Sequence, residues 1–188
     1  MAKSDRLVLR CVPEFAPESA RARLSHWPIA AATLCGLPLA GTVLHHPRPM
    51  LVWNASASSP PGLYAIGAPS FRSGERALAW APAAARRLAA ERHYLPSTVP
   101  LVKRVGAVAG DRVCAKGSLV FVNGRPAAVR VKRDPSGRAM PWWSGCRQLQ
   151  RGELFLFSQG VPGAFDGRYF GITRASEVIG SARLIWPR

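Results

Sequence analysis

The stretch that organises the chain is Asn54–Tyr64, which has the sequence NASASSPPGLY. It lies between the short apolar run Leu51–Trp53 and the apolar residues Tyr64–Ile66. Three serines, two prolines and a glycine between two apolar segments predict a sharp turn between two strands. Such a turn can hold a serine hydroxyl in a fixed direction, although composition alone favours a plain surface loop rich in serine and proline.

A second stretch, Pro100–Asp111, predicts a strand that ends in a Gly-Asp turn. Alternate residues of a strand share a face, so Leu101, Lys103 and Val105 point the same way. Burial disfavours the charged form of a lysine and can lower its pKa by ~3–5 units, which would make the amine a usable general base. The alternative is a lysine on an edge strand that keeps its charge in water.

Together these stretches resemble the serine–lysine signal peptidases, and most closely the TraF-type peptidases of conjugative transfer systems. The family motif N-x-[ST]-x-S-x-P-x-G-x-Y matches Asn54–Tyr64 at each fixed position. The motif K-R-V, followed shortly by G-D, matches Lys103–Val105 and Gly110–Asp111, and the motif D-x-R-Y-F-G matches Asp166–Gly171. Each motif is weak alone, but three in the order of the family are specific.

The resemblance implies a catalytic mechanism. Ser58 would be the nucleophile that attacks the scissile carbonyl, and neutral Lys103 would be the general base that takes its proton. The backbone N–H of Ser58 and the hydroxyl of Ser56 would stabilise the oxyanion. The register of the motif selects Ser58 over the neighbouring Ser59. A triad of serine, histidine and aspartate that uses His93 is the alternative, but no flanking motif supports it.

The third motif would supply a supporting pair near that site. Asp166 and Arg168 would pair, with Asp166 helping to position Lys103, and the alternative is a salt bridge that only braces the fold. Many signal peptidases carry a serine two residues before this aspartate, hydrogen-bonded to the lysine. Here that position is Ala164. The resemblance therefore leaves open which group orients Lys103.

The 188 residues are enough for one domain with an appendage. Residues 1–26 are polar and mixed in charge, and we expect them to form a cytoplasmic tail. Residues 27–46 are expected to form a single transmembrane anchor, because about 18 uncharged residues in a helix span ~27 Å, close to the bilayer thickness. The alternatives are a buried core helix and a cleaved signal peptide.

Orientation follows from the charges that flank this anchor. Arginines precede it, so the tail should be cytoplasmic. Residues 47–188 would then form a peptidase domain on the periplasmic side of a bacterial inner membrane. Short apolar segments and turns over this range predict a mostly-β domain with a coiled, barrel-like sheet, as the resemblance also implies.

Local signals within that domain predict two further elements. Pro82 opens an alanine- and arginine-rich run that predicts a helix as far as Arg92, with the proline at its first position. Asn123-Gly124 lies between two apolar runs and predicts a hairpin. One short helix among many strands is therefore expected.

Four cysteines are present without a C-x-x-C pair, so neither a zinc site nor another metal or cofactor is expected. Cys11 falls in the predicted tail and Cys35 in the predicted anchor. Cys114 and Cys146 both fall in the predicted periplasmic part, where disulfides persist. We therefore expect these two residues to pair.

The formal net charge is +16, which is typical of proteins that contact nucleic acid or an anionic membrane surface. The arginines are scattered and no nucleic-acid motif is present, so a lipid surface is the expected partner. The resemblance implies a pilin precursor or another signal-peptide-bearing protein as substrate, within a conjugative transfer system. The alternatives are a general type I signal peptidase for secreted proteins and a non-enzymatic, basic membrane component of a transfer apparatus.

Overall fold

The computed structural model describes residues 32–34, 49–69 and 72–188. The chain divides into two units, Met1–Pro47 and Arg48–Arg188. The second unit contains every strand that the structure describes.

The predicted tail and anchor, residues 1–26 and 27–46, lie outside the described residues apart from the helical residues 32–34. Within the described ranges, no helix has both the length and the apolar character needed to cross a bilayer. The anchor therefore stays a prediction.

The described residues form mainly strands, connected by short loops. The strands are β1 (Leu51–Asn54), β2 (Gly62–Ile66), β3 (Arg76–Ala79), β4 (Leu101–Ala107), β5 (Arg112–Lys116), β6 (Leu119–Val122), β7 (Arg125–Val129), β8 (Gly145–Gln148), β9 (Glu153–Phe157), β10 (Thr173–Arg174) and β11 (Val178–Pro187). The helices are α1 (Ala83–Glu91), α2 (Gly167–Phe170) and a 3₁₀ turn at Ala175–Glu177.

The strands form two antiparallel sheets. The larger has the order β1-β2-β11-β3-β4-β9-β10, and the smaller has the order β7-β6-β5-β8. The larger sheet curls into a half-barrel, and within the described residues its edges β1 and β10 do not pair with each other, so it stays open. The prediction of a mostly-β fold with a coiled sheet is confirmed, but the sheet is not a closed barrel.

The opening stretch forms the hairpin of β1 and β2, which is closed by the pair Asn54 and Gly62. Gly62 has a φ of 144°, and a Cβ built on it would lie 2.2 Å from the backbone oxygen of Trp186 in β11. Glycine is therefore required at this position, both for its backbone conformation and for the close approach of the neighbouring strand.

Strand β4 lies in the interior of the large sheet, between β3 and β9, and buries residues on both faces. Val102 packs in a cluster with Tyr64, Leu78 and Ala182. Val105 packs in another cluster, made of small and apolar side chains of β3, β9 and β11. The hypothesis of an edge-strand lysine is thus wrong, since Lys103 belongs to an interior strand and is 2% exposed.

The two local elements form close to their predicted positions. Helix α1 begins at Ala83, with Pro82 as its N-cap rather than its first residue, and it ends at Glu91. Asn123 and Gly124 both have positive φ values, 51° and 78°, and connect β6 to β7. These are the conformations that a two-residue hairpin turn requires.

Cys114 and Cys146 form a disulfide across directly paired positions of β5 and β8. All four residues of β8 are exposed, so burial of its side chains contributes little to holding this strand on the small sheet. The disulfide therefore adds a covalent attachment to the backbone pairing of β8 with β5.

Replacing Cys114 and Cys146 with serine is expected to lower the free energy of unfolding by about 3–4 kcal/mol, because the bond closes a long loop in the unfolded chain. The cysteines are 32 residues apart in sequence. Urea unfolding of the double variant, compared with the parent chain with and without reductant, measures this effect. Equal unfolding midpoints for all three samples would contradict the prediction.

Candidate active site

The serine-containing turn is held by the side chain of Asn54, which is 9% exposed. Its Nδ2 donates to the backbone oxygens of Ser56, Ser59 and Pro60 at 3.0, 3.1 and 3.2 Å. Its Oδ1 accepts from the backbone N–H of Ser56 at 3.2 Å. The Tyr64 hydroxyl also donates to the Pro60 oxygen at 2.7 Å. Side chains therefore satisfy the backbone of the turn and fix its conformation before any substrate arrives.

The structure gives the two adjacent serines different environments. Ser59 is 7% exposed, and its hydroxyl donates to the backbone oxygen of Val102 in β4 at 2.8 Å. Ser58 is half-buried and lines a pocket of the domain. Its Oγ lies 2.8 Å from the Oγ of Ser56. Ser59 thus attaches the turn to the sheet, while Ser58 faces open space.

The two predicted oxyanion donors contact each other. The backbone N–H of Ser58 donates to the Oγ of Ser56 at 3.2 Å. The Ser56 hydroxyl therefore accepts the hydrogen bond from the Ser58 N–H that an oxyanion would need. Rotation of the Ser56 side chain about its Cα–Cβ bond would free that N–H and turn the hydroxyl itself into a second donor.

Lys103 lies in the same pocket, and its Nζ donates to the Oγ of Ser158 at 2.9 Å. Burial lowers the pKa of Lys103 to about 8. The positive charge of Arg168 lowers this pKa further, whereas the negative charge of Asp166 raises it. The side chains of Ser58 and Lys103, both among the described residues, are not hydrogen-bonded to each other. In substrate-free enzymes such contacts are often long and tighten only when substrate binds.

Asp166 and Arg168 form a fully buried ion pair at the start of α2, 0% and 1% exposed. The carboxylate accepts from Nε of Arg168 at 2.9 Å and from its Nη2 at 2.8 Å. The guanidinium also donates to four backbone oxygens, those of Val129, Val161, Pro162 and Ala164. Because both charges are paired and hydrogen-bonded, the pair can be buried without an unsatisfied ion.

Ser158 connects this ion pair to the lysine. Its backbone N–H donates to Asp166 Oδ2 at 2.8 Å, and its hydroxyl accepts from Lys103. Asp166 makes no direct hydrogen bond to Lys103, so its hydrogen-bonded connection to the lysine runs through Ser158, while its charge acts on the lysine directly. The sequence has Ala164 in place of the family serine and so did not identify a group that orients Lys103. In the structure, the Ser158 hydroxyl is the group that is hydrogen-bonded to the lysine.

Sequence reasoning missed Ser158 because only strand register reveals it. It directly follows the apolar run Leu154–Phe157, which forms β9. The pairing of Arg104 with Phe157 is what brings the end of β9 beside Lys103. His93, the alternative base, is exposed and is not among the residues that line the pocket.

The pocket encloses about 520 Å³ and has mainly apolar walls. Small and medium-sized side chains supply those walls, among them Val52, Ala81, Leu101, Met140 and Ala164. Arg86, Tyr94 and Asp134 supply polar groups in addition to Ser58 and Lys103. A hydroxyl and an amine of lowered pKa in one apolar cleft are suited to nucleophilic attack on a carbonyl.

Comparisons with known proteins place these residues in context. The family model described as signal peptidase, peptidase S26, matches residues 24–187. The plasmid transfer protein TraF of Escherichia coli is 40% identical over 82 residues, which cover 42% of this chain and 46% of that protein. A probable conjugal transfer protein TraF of Sinorhizobium fredii is 40% identical over 86 residues, 45% of this chain and 44% of that protein.

The matched region spans less than half the length of these curated relatives. Among solved structures, a signal peptidase I of Enterococcus faecalis overlaps 61% of this chain and 98% of its own chain. Its TM-score is 0.37 and its sequence identity is 14%, which is too slight a likeness to support a conclusion.

Proposed function

Because this chain belongs to the signal peptidase S26 family, we propose that it is a serine endopeptidase with Ser58 as nucleophile and Lys103 as general base. The observation that carries the proposal is a buried lysine, with a pKa of about 8, in the same pocket as a serine on a rigid turn. At pH 7 about one such lysine in ten is neutral, compared with fewer than about one in a thousand free lysines.

The proposed reaction proceeds through an acyl-enzyme. The Oγ of Ser58 forms a bond to the scissile carbonyl carbon while neutral Lys103 takes the hydroxyl proton. The oxyanion accepts from the backbone N–H of Ser58 and the turned hydroxyl of Ser56, each donor contributing roughly 3–4 kcal/mol. When the C–N bond breaks, Lys103 gives its proton to the leaving amine. Water, or an amine of the substrate, then attacks the acyl-enzyme.

Ser158 keeps the lysine amine in place during this reaction. Replacing Ser158 with alanine is expected to lower the maximal kcat/KM about 10- to 100-fold, since a small misplacement of a catalytic group is costly. The variant also removes an acceptor that favours the charged amine, so the pKa of Lys103 should fall. The rising limb of the pH–rate profile should therefore move to lower pH.

A second substitution separates this positioning role from a merely structural one. Adding Ala164→Ser to Ser158→Ala restores a hydroxyl at the position where the family places it. Activity and the position of the rising limb should then return part of the way to those of the parent. A Ser158→Ala variant with unchanged kcat/KM and an unchanged pH profile would contradict the assignment.

The proposed location is the bacterial inner membrane, with residues 27–46 as a single anchor and residues 47–188 in the periplasm. Two observations support this. The disulfide suits an oxidising compartment. Trp53 and Trp186 are 55% and 69% exposed and pair with the same residue of β2, Leu63, so they share one sheet face. Exposed tryptophans of this kind are typical of the lipid headgroup level.

The proposed substrate is a pilin precursor or another signal-peptide-bearing protein of a conjugative transfer system. The similarity to TraF proteins supports this choice. Hydrolysis and cyclisation use the same acyl-enzyme and differ only in the acceptor, which is water in one and an amine in the other. A general type I signal peptidase is the second candidate, and its substrates would be exported proteins at large.

The test is the mass of a candidate pilin precursor that is co-expressed with the full chain. We expect the precursor to be shortened by the parent protein and to stay intact with Ser58→Ala or Lys103→Ala. A further loss of one water would identify cyclisation. Shortening that persists in the Ser58→Ala variant would refute the proposed nucleophile. If no precursor in a broad panel is shortened, the non-enzymatic alternative is favoured.

A further inference from the structure

The pocket contains a cation that the proposed chemistry does not use. Arg86 of α1 lines the pocket, and its guanidinium lies over the ring of Trp80, 5.3 Å from the ring centroid. Its Nε is buried and has no hydrogen-bond partner among the described residues. Neither Pro82 nor Ala90, one helical turn away on each side, is acidic.

The carboxylates of the described residues leave Arg86 unpaired. The ion pairs found there are Arg138–Asp134, Arg147–Glu153 and Arg168–Asp166. Asp134 also lines the pocket, but Arg138 and Tyr94 already donate to its two oxygens. The pocket thus provides an arginine that forms no ion pair with an acidic side chain of the described residues.

The contact with Trp80 leaves this arginine able to bind an anion. Contact of the guanidinium with an aromatic ring uses its flat face and leaves the N–H groups in its plane available. A planar arginine binds a carboxylate through two parallel hydrogen bonds, and an apolar surrounding strengthens such charged bonds. The net charge of +16 further favours the approach of anionic peptides.

We propose that Arg86 is a specificity-determining residue that binds a carboxylate of the substrate, beside the Ser58–Lys103 site. The proposal rests on the peptidase function proposed above and adds a substrate class to it. That class is a peptide with either an acidic side chain or a free carboxyl terminus close to the scissile bond. Both sources present the same chemical group to Arg86.

The test measures binding by the full chain with Ser58→Ala, so that cleavage is not required. The probes are fluorescein-labelled peptides with small residues, made as pairs with a free-acid or amidated carboxyl terminus and with an internal Glu or Gln. Fluorescence anisotropy gives the affinity for each peptide. We expect one acidic peptide to bind about 10- to 100-fold more tightly than its neutral counterpart, which is the range of a charge-assisted hydrogen bond. The pair that shows this difference identifies the source of the carboxylate.

Variants of two adjacent arginines complete the test. Arg86→Gln should remove the preference for the acidic peptide, and Arg87→Gln, one residue along the same helix and exposed, should keep it. Arg86→Glu should instead favour a peptide with Lys at that position, a gain that a misfolded variant cannot show. The proposal would be overturned if the parent chain bound acidic and neutral peptides equally well. It would also be overturned if the preference for the acidic peptide persisted in Arg86→Gln. A parent chain that binds in this way but cleaves nothing would refute the peptidase function alone.

Discussion

Replacement of Ser58 with alanine is expected to lower kcat/KM for precursor cleavage by at least about 10⁴-fold, as for other serine nucleophiles. The missing atom is the one that would form the acyl bond with the substrate. The fold should be unaffected, because within the described residues the Ser58 hydroxyl hydrogen-bonds only with the Oγ of Ser56. Cleavage rates of the purified full chain, with thermal melts of the same samples, measure both effects.

Ser59→Ala is the matched control and should show the opposite pattern. The Ser59 hydroxyl is buried and is the donor that joins the turn to Val102 of β4. Its loss leaves a buried acceptor unpaired and should lower the free energy of unfolding by about 1–3 kcal/mol. The folded variant should still cleave precursor. A Ser59→Ala variant that is stable but inactive would transfer the role of nucleophile to Ser59.

Lys103→Met is expected to abolish cleavage and, at neutral pH, to make the protein more stable. The pKa of Lys103 is about 8 in the folded protein, below the ordinary value of 10.5. The unfolded chain therefore binds more protons between these two pH values, and stability rises with pH across that window. Below pH 8 the folded protein bears the full cost of a buried ammonium, about 3 kcal/mol.

The methionine removes that cost, so the gain in the free energy of unfolding should be largest below pH 8 and should vanish above about pH 10.5. Denaturant unfolding of parent and variant at pH 7 and pH 10.5 measures the difference. A variant that is less stable than the parent at pH 7 would show that the lysine supports the fold. Loss of activity together with a gain in stability is typical of a catalytic residue that is retained despite its cost in stability.

The pH dependence of cleavage provides a separate check on the same residue. If neutral Lys103 is the base, kcat/KM of the parent should rise through a pKa of about 8 and level off above it. Rates from pH 6 to pH 10 on one precursor give this profile. A rate that does not change across this range would contradict the role of Lys103.

The sequence predicted the fold class and brought the main site residues to attention because both depend on local pattern. The turn of Asn54–Tyr64 combines a side chain that caps backbone groups, two prolines and a glycine that β11 requires. The alternation around Lys103 allowed either a buried lysine or one on an edge strand, and it did not predict that Val102 on the opposite face would be buried as well. That second burial arises from the place of β4 within the sheet, which only tertiary pairing determines.

The partners of these residues could not be predicted because they come from distant parts of the chain. Ser158 is separated from Lys103 by 55 residues, and the register of β4 against β9 brings them together. Asp166 was expected beside the lysine, but its carboxylate is used by Arg168 and by the backbone of Ser158. Arg86 drew no attention in the sequence, since an arginine in an alanine-rich helix is ordinarily a solvated residue.

The position of β11 has a consequence for the order of events during synthesis. This strand lies between β2, which follows the Ser58 turn, and β3, which pairs with the strand of Lys103. Ser58, Lys103, Ser158 and Asp166 all leave the ribosome before Val178–Pro187 does. The nascent chain therefore holds every residue of the site but lacks the strand that joins its two halves. Under the proposed function, peptidase activity should accordingly appear only after Val178–Pro187 has left the ribosome and paired with β2 and β3.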